Sequence, residues 1–255
     1  MAVHKAGRKA VRVATAVVAA ALIGVAASAC GPDDNGDGGG AGKSSSSAPE
    51  SSSSAPDSKG PDSKGPASMG PASVKGGVIT VGDPKAKHTV KVYEDSRCPF
   101  CKKFEEGGAQ ALVGPVAEGK VKVEYVIASF LDKNLGGSGS VNAANALRAS
   151  VEAGKFPQYH AAVFASQPEE ESHDAYTPAF LLKIADKVDG LRSGTFDKAV
   201  TKGTYKKWVG EAMSTFTDDG VQATPTVLID GEKAEGEALY DQGAFAKELK
   251  KAGIS

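Results

Sequence analysis

The sequence predicts a mixed α/β domain in which a block of helices interrupts a small sheet. Three patterns predict it. Apolar residues alternate with polar ones around Val90 and Val92, and again at Val121, Val123, Tyr125 and Ile127, which is the period of strands. From about residue 136 to 219 the apolar residues recur at helical spacing instead. Strand character returns only at Thr226-Val227-Leu228-Ile229, followed by Asp230-Gly231, a pair suited to a two-residue hairpin turn. Strands, then helices, then strands point to an α/β or α+β domain.

Taken in order, the folded part is expected to begin near Gly76. Val78 to Val81 forms a short strand, and Asp83-Pro84 turns the chain. The strand through Val90 and Val92 runs directly into Cys98-Pro99-Phe100-Cys101. Cys101, Phe104, Gly108, Leu112 and Val116 then mark one face of a helix, loosened or bent by Gly107-Gly108 and Pro115. A second strand covers Val121 to Ile127. Gly136-Gly137-Ser138-Gly139 opens the helical block. Its apolar stripes are Ala144, Leu147 and Val151, then Phe180, Leu181, Ile184, Ala185 and Val188. The clearest stripe is Tyr205, Trp208, Val209, Ala212, Met213 and Phe216. Glu232 onward pairs back as a strand, and a last amphipathic helix carries Phe245 and Leu249.

Before this domain lies a different kind of sequence. Lys5, Arg8, Lys9 and Arg12 precede an apolar run from Val13 to Ala29 that ends Ala27-Ser28-Ala29-Cys30. A basic start, an apolar middle and small residues before a cleavage point form a secretory signal over residues 1–30. Cleavage before Cys30, with lipidation of its thiol, gives a lipoprotein; the residues before Cys30 resemble a bacterial lipobox. Ordinary cleavage after Ala29 gives a secreted protein, and an uncleaved signal anchor is the third reading. All three place the domain outside the cytoplasm. Residues 31–75 are almost entirely Gly, Ser, Pro, Ala, Asp and Lys, with the short repeats Ser44–Glu50 and Ser51–Asp57. Such composition cannot bury a core and reads as a disordered linker. Its root-mean-square reach is roughly 35–40 Å.

Charge excludes one class. Thirty basic against thirty-one acidic residues leave a net charge of -1, so no basic field points to nucleic acid.

The chain has three cysteines, and one sits at the signal junction. The other two are spaced i, i+3 at the start of a helix, where they can close a small disulfide ring. Unsatisfied N–H groups and the positive helix end favour a thiolate at Cys98, the species active in thiol–disulfide exchange. Pro99 lies early enough that its missing N–H costs little. Arg97 and Lys102 add local positive charge. A zinc site needs about four ligands, and neither a second C-x-x-C nor a His pair at finger spacing is present. A purely structural disulfide this short closes too small a loop to stabilise much. Copper(I) capture remains an alternative, without a Met near the pair.

The stretch Val90 to Cys101 (VKVYEDSRCPFC) resembles the active-site strand and helix of DsbA-like thioredoxin-fold thiol–disulfide oxidoreductases. Gly220 to Ile229 (GVQATPTVLI) resembles their cis-proline loop and following strand, and Lys155 to Phe164 is similar to part of their helical insertion. The resemblance covers about residues 76–255, with the insertion at about 136–219. It implies a thioredoxin-like fold in which Cys98 exchanges disulfides, Cys101 resolves the mixed disulfide, and a cis Thr224-Pro225 bond shapes the docking groove beside Pro99 and Phe100. It implies cysteine-containing exported proteins as substrates and a quinone-linked membrane oxidase as electron acceptor, with no cofactor and no metal. The alternatives are a reductase or isomerase fed by a membrane electron donor, or a tethered metal- or peptide-binding module.

The chain departs from the family pattern in two places. No His lies between the cysteines, which removes one donor to the thiolate and points to a less oxidising potential. The buried acid common six residues before the first cysteine is replaced by Val92. Asp95 matches an acid of the exported subfamily and is read as a loop cap. Glu94 is read as a surface carboxylate at a strand end, the alternative being an inward Glu94 that assists proton transfer to Cys101, and His160 as a structural residue of the insertion.

Overall fold

The computed structural model describes residues 65–170 and 172–255. The signal segment, Cys30 and residues 31–64 of the predicted linker lie outside the described residues. Among those described, no helix is long and apolar enough to cross a membrane.

The fold starts earlier than composition suggests. Residues 66–75, assigned above to the linker, contain a 3₁₀ turn at Pro66–Met69 and strand β1, Ala72–Lys75. β1 pairs antiparallel with β2, Val78–Val81, from Ala72 opposite Val81 to Lys75 opposite Val78. β1 alternates Ala72 and Val74, which pack against the core, with Ser73 and Lys75, but over only four residues beside a Gly/Ser/Pro-rich tract. The turn between them needs glycine twice. Gly76 takes φ 56°, and a Cβ on Gly77 would come within 2.5 Å of the Thr215 side chain.

The sheet is completed by β3 (His88–Asp95), β4 (Val121–Ala128), β5 (Thr226–Ile229) and β6 (Glu232–Ala234), in the order β1-β2-β4-β3-β5-β6. β3 and β4 run parallel, and the other neighbours are antiparallel. The hairpin predicted at Asp230-Gly231 forms, with both residues at positive φ, 48° and 90°. Asp230 also accepts from Thr89 N–H at 2.8 Å, which ties the hairpin to the start of β3.

Registers put Val92, Tyr125 and Val227 side by side on one face of the sheet, with Tyr93 beside Val126 on the other. The first face packs on α1 (Pro99–Glu106), α2 (Val113–Ala117) and α9 (Gln242–Lys251), where Phe104 meets Phe245 edge to face at 5.6 Å. The predicted single helix from Cys101 to Val116 is broken. Gly107 and Gly108 lie against the Tyr240 and Leu239 carbonyls, where an added Cβ would approach to 2.3 Å, and the chain passes through a 3₁₀ turn before α2.

Between β4 and β5 come α3 (Leu131–Leu135), α4 (Gly139–Glu152), α5 (Phe156–Ala165), α6 (Pro178–Ala185), α7 (Gly194–Lys202) and α8 (Lys206–Asp218). The stripes read from the sequence are α4, α6 and α8. α7 has only Phe196, Ala199 and Val200 to bury, too few to announce it. Its Ser193 cap and its left-handed Gly203 stop mark its ends. α8 covers the second face of the sheet through Phe216, 6.2 Å from the Tyr93 ring.

Candidate active site

β3 ends at Asp95, and the turn after it aims the cysteine pair. Cys98 N–H donates to the Asp95 carbonyl at 2.9 Å, and Arg97 N–H to the Asp95 carboxylate at 3.0 Å. Cys98 is the N-cap of α1, followed by Pro99, while Cys101 N–H closes the first turn onto the Cys98 carbonyl at 3.1 Å. Cys98 is more covered than a bare helix N-terminus implies, at 5% exposure, and Cys101 is fully buried.

The helical block locks this turn from behind. Asp95, fully buried, accepts from the Ser140 hydroxyl at 2.7 Å and Leu131 N–H at 3.2 Å. Arg97 is buried too, donating to Asp132 at 2.9 Å and to the Gly136 carbonyl at 2.7 Å. Asp132 also receives the Ser140 and Val141 N–H groups at the start of α4, at 2.8 and 2.9 Å. Gln167, just past α5, donates to the Ser96 and Cys98 carbonyls at 2.8 and 3.0 Å. Sequence reasoning missed Asp132, Ser140 and Gln167. Each lies between β4 and β5, in an unremarkable local pattern, and matters only because the fold returns it to the cysteines.

On the open side, the Thr224-Pro225 peptide is cis, and the Cys98 thiol donates to the Thr224 carbonyl at 3.3 Å. Cys98 and Cys101 pack with Leu131, Phe130 and Phe164. Phe100 is 52% exposed beside the pair, with Tyr240 at 6.3 Å and the Lys103 ammonium 5.1 Å over its ring. The structure thus gathers Cys98, Pro99, Phe100, Cys101, Thr224 and Pro225 at one edge.

The two sulfurs differ electrically. The Cys101 thiol, the Thr224 side chain and the N–H groups of Cys101 and Phe100 pull Cys98 down from 9.0 to about 6, against burial that opposes them. Burial and the hydrogen bond to Cys98 push Cys101 well above the ordinary thiol range. One sulfur is therefore an anion near neutrality, and the other holds its proton.

One expectation is corrected beneath the pair. Glu94 is fully buried, because it shares the inward face of β3 with Val92. It meets His160 Nε2 at 2.5 Å, while the Glu105 carboxylate lies 3.6 Å from Nδ1. Val92 fills the usual acid position, and the acid has moved one strand repeat toward the cysteines. Burial raises Glu94 well above the carboxylate range and Glu105 to about 8, while it lowers His160.

Comparison with known proteins places this arrangement. A family model described as thioredoxin matches residues 74–246. Disulfide bond formation protein D of Bacillus subtilis (strain 168) is 28% identical over 180 residues, covering 69% of this chain and 79% of that protein. The crystal structure of oxidised BdbD from Bacillus subtilis matches with a TM-score of 0.59 at 25% identity, over 71% of this chain and 95% of that one. Reduced DsbA from Mycobacterium tuberculosis, at 24% identity, shares the fold with a TM-score of 0.55 over 69% of this chain and 100% of that one. The chain belongs to the thioredoxin family, as a DsbA-like thiol–disulfide oxidoreductase.

Proposed function

We propose that the chain forms disulfides in exported, cysteine-containing proteins while anchored by a lipid on Cys30 to the outer face of the cytoplasmic membrane. The observation that carries the oxidising direction is the asymmetry of the sulfurs. A Cys98 thiolate held at about 6 stabilises the reduced pair, and a stabilised reduced form makes the disulfide form a stronger oxidant. The Bacillus relative is named a disulfide bond formation protein, which supports the same direction.

In this reading the resting pair is the Cys98–Cys101 disulfide. A substrate thiolate attacks Cys98 Sγ, forming a substrate–Cys98 bond as the Cys98–Cys101 bond breaks. Cys101 leaves with the electron pair and takes a proton. A second substrate thiolate then attacks the substrate sulfur, and Cys98 departs as the favoured thiolate. Two electrons pass to the pair and return to a quinone-linked membrane oxidase. The Thr224 backbone at the cis-proline turn offers edge pairing to the substrate strand beside Phe100.

The test is stoichiometric oxidation of a reduced, unfolded secreted ribonuclease by the oxidised chain. Disulfides should form in the wild type and disappear with Cys98→Ser; Cys101→Ser, first loaded with thionitrobenzoate on Cys98, should exchange that group for a ribonuclease cysteine and stop at the mixed disulfide, with thionitrobenzoate leaving as the thiolate. An equilibrium potential as low as thioredoxin's would assign the chain to reduction or isomerisation instead. For the anchor, Cys30→Ser should release the protein from the membrane fraction; continued membrane retention of that variant would remove the lipid from the account.

A further inference from the structure

Behind the cysteine turn, Glu94 from β3, Glu105 from α1 and His160 from α5 each place a metal-ligating atom within 4.8 Å of the others. Glu94 and His160 are 66 positions apart, so no spacing in the sequence announces the group. All three side chains are buried. Glu94 Oε1 lies 2.5 Å from His160 Nε2, and Glu105 Oε2 lies 3.6 Å from Nδ1. The two carboxyls also hydrogen-bond to each other. Beyond these contacts, Glu94 Oε2 and Glu105 Oε1 are buried with no donor from the other described residues.

Charge, donor type and space each point to a cation. Both carboxyls have the same ion-pair partner, an imidazole, which carries at most one positive charge. With both ionised the group is net negative away from water, and a proton or a cation must make up the difference. A divalent ion beside neutral His160 balances the two carboxylates. Two carboxylate oxygens and one imidazole nitrogen suit zinc, which takes four ligands and accepts water as one of them. A ligating histidine commonly donates its other ring N–H to a carboxylate, and His160 has a carboxylate at each nitrogen. Ligands of one tetrahedral ion stand roughly 3.3–3.5 Å apart, so a group already within 4.8 Å needs side-chain shifts of about an ångström, not a new fold. Glu105 and His160 also line a cavity of about 20 Å³ with Met69, Gln110 and Tyr125, room for roughly one water. Pro66 and Gln110, at the cavity wall, are half-buried, which gives an entry path beneath the Pro66–Met69 turn.

We propose that Glu94, Glu105 and His160 form a binding site for one divalent transition-metal ion of the zinc class, with a cavity water as the fourth ligand. The ion takes the place of the proton between the two carboxyls and ties β3, α1 and α5 together behind the cysteine turn. Its role is structural, and no step of disulfide exchange runs through it. The site therefore stands whichever way electrons flow through Cys98 and Cys101.

The test uses the purified full chain carrying Cys30→Ser, with the Cys98–Cys101 disulfide formed, so that no sulfur can serve as a thiolate ligand. Equilibrated with zinc chloride, the chain should retain one zinc per molecule after dialysis, and its Tm should rise with zinc concentration. Glu105→Gln and His160→Gln should each weaken zinc binding by about tenfold or more. His88→Gln, which alters the His88–Asp230 pair outside the cluster, should leave zinc affinity within twofold. Failure of the starting chain to retain zinc overturns the site, as does an affinity within twofold of it in His160→Gln. If both cluster variants lose their cooperative melt, X-ray absorption of the zinc-loaded starting chain decides. A first shell of oxygens and one imidazole nitrogen supports the site, and a shell without imidazole overturns it.

Discussion

The Cys98 thiol donates to the Thr224 carbonyl across 3.3 Å, joining residues 126 positions apart. This contact closes the helix N-terminus against the cis-proline turn, so Cys98 is reactive yet only 5% exposed.

Cys98 alkylation follows from that setting. With Cys98 lowered from 9.0 to about 6, the rate of reaction with iodoacetamide should rise with pH to a plateau with its midpoint at about 6. The folded value lies below the ordinary one, so the stabilisation of the reduced protein is whole above about 9 and is lost as pH falls through about 6. Thermal melts should therefore show the reduced form gaining on the oxidised form as pH rises across that window. A midpoint at the ordinary thiol value would contradict the assignment.

Thr224→Val removes the side-chain hydrogen bond to Cys98 and keeps the carbonyl. The Cys98 midpoint should move upward, and alkylation at pH 6 should slow about threefold, the effect at the starting midpoint of a hydrogen bond worth ~1 kcal/mol. The same pH series measures it, and an unchanged midpoint would show that the backbone and Cys101 alone hold the thiolate.

Asp132→Ala removes the nearest carboxylate from the buried Arg97 guanidinium and the acceptor at the start of α4. Loss of one partner of a buried pair costs about 3–5 kcal/mol, and Asp174 at 3.8 Å keeps the loss near the lower end. Urea unfolding should show the midpoint fall with the slope retained. A change under ~1 kcal/mol would mean that Asp174 takes over the pair.

Glu105 makes stability depend on pH in the opposite sense to Cys98. Its folded value, raised by burial to about 8, lies above the ordinary 4.5. The protonated carboxyl therefore favours the fold, fully below about 4.5, and this contribution is lost as pH rises through about 8. In the oxidised chain, where the cysteines no longer titrate, denaturant midpoints should fall across that window. Glu105→Gln should flatten the fall, and an equally steep fall in that variant would place its origin elsewhere.

Much of the architecture was legible because it rests on periodicity and turn chemistry. Val90 and Val92, the Asp230-Gly231 turn and the stripe from Tyr205 to Phe216 carry their own signals, and β3, the β5–β6 hairpin and α8 stand where those signals lie. β1 was passed over because the Ala72-Ser73-Val74-Lys75 alternation is only four residues long and adjoins the Gly/Ser/Pro-rich tract. The break after α1 was foreshadowed by Gly107-Gly108, but its cause is the close approach of the Leu239 and Tyr240 carbonyls. Glu94 and His160 were noticed and given surface or structural roles, because strand alternation alone does not say which face of β3 is covered.

By itself the sequence determined the chemistry on offer: a cysteine pair at a helix start, a Thr-Pro turn before a strand, and a third cysteine, Cys30, after an apolar run. Those are local features, set by residue type and spacing. Only the tertiary structure decided which groups control that chemistry. Thr224 over Cys98, Gln167 on the cysteine turn, and His160 between two buried carboxyls are contacts between segments about 55–126 residues apart, set by the packing of the helical block on the sheet. Burial then shifts their proton affinities, and burial is a property of the packed chain rather than of any segment of it.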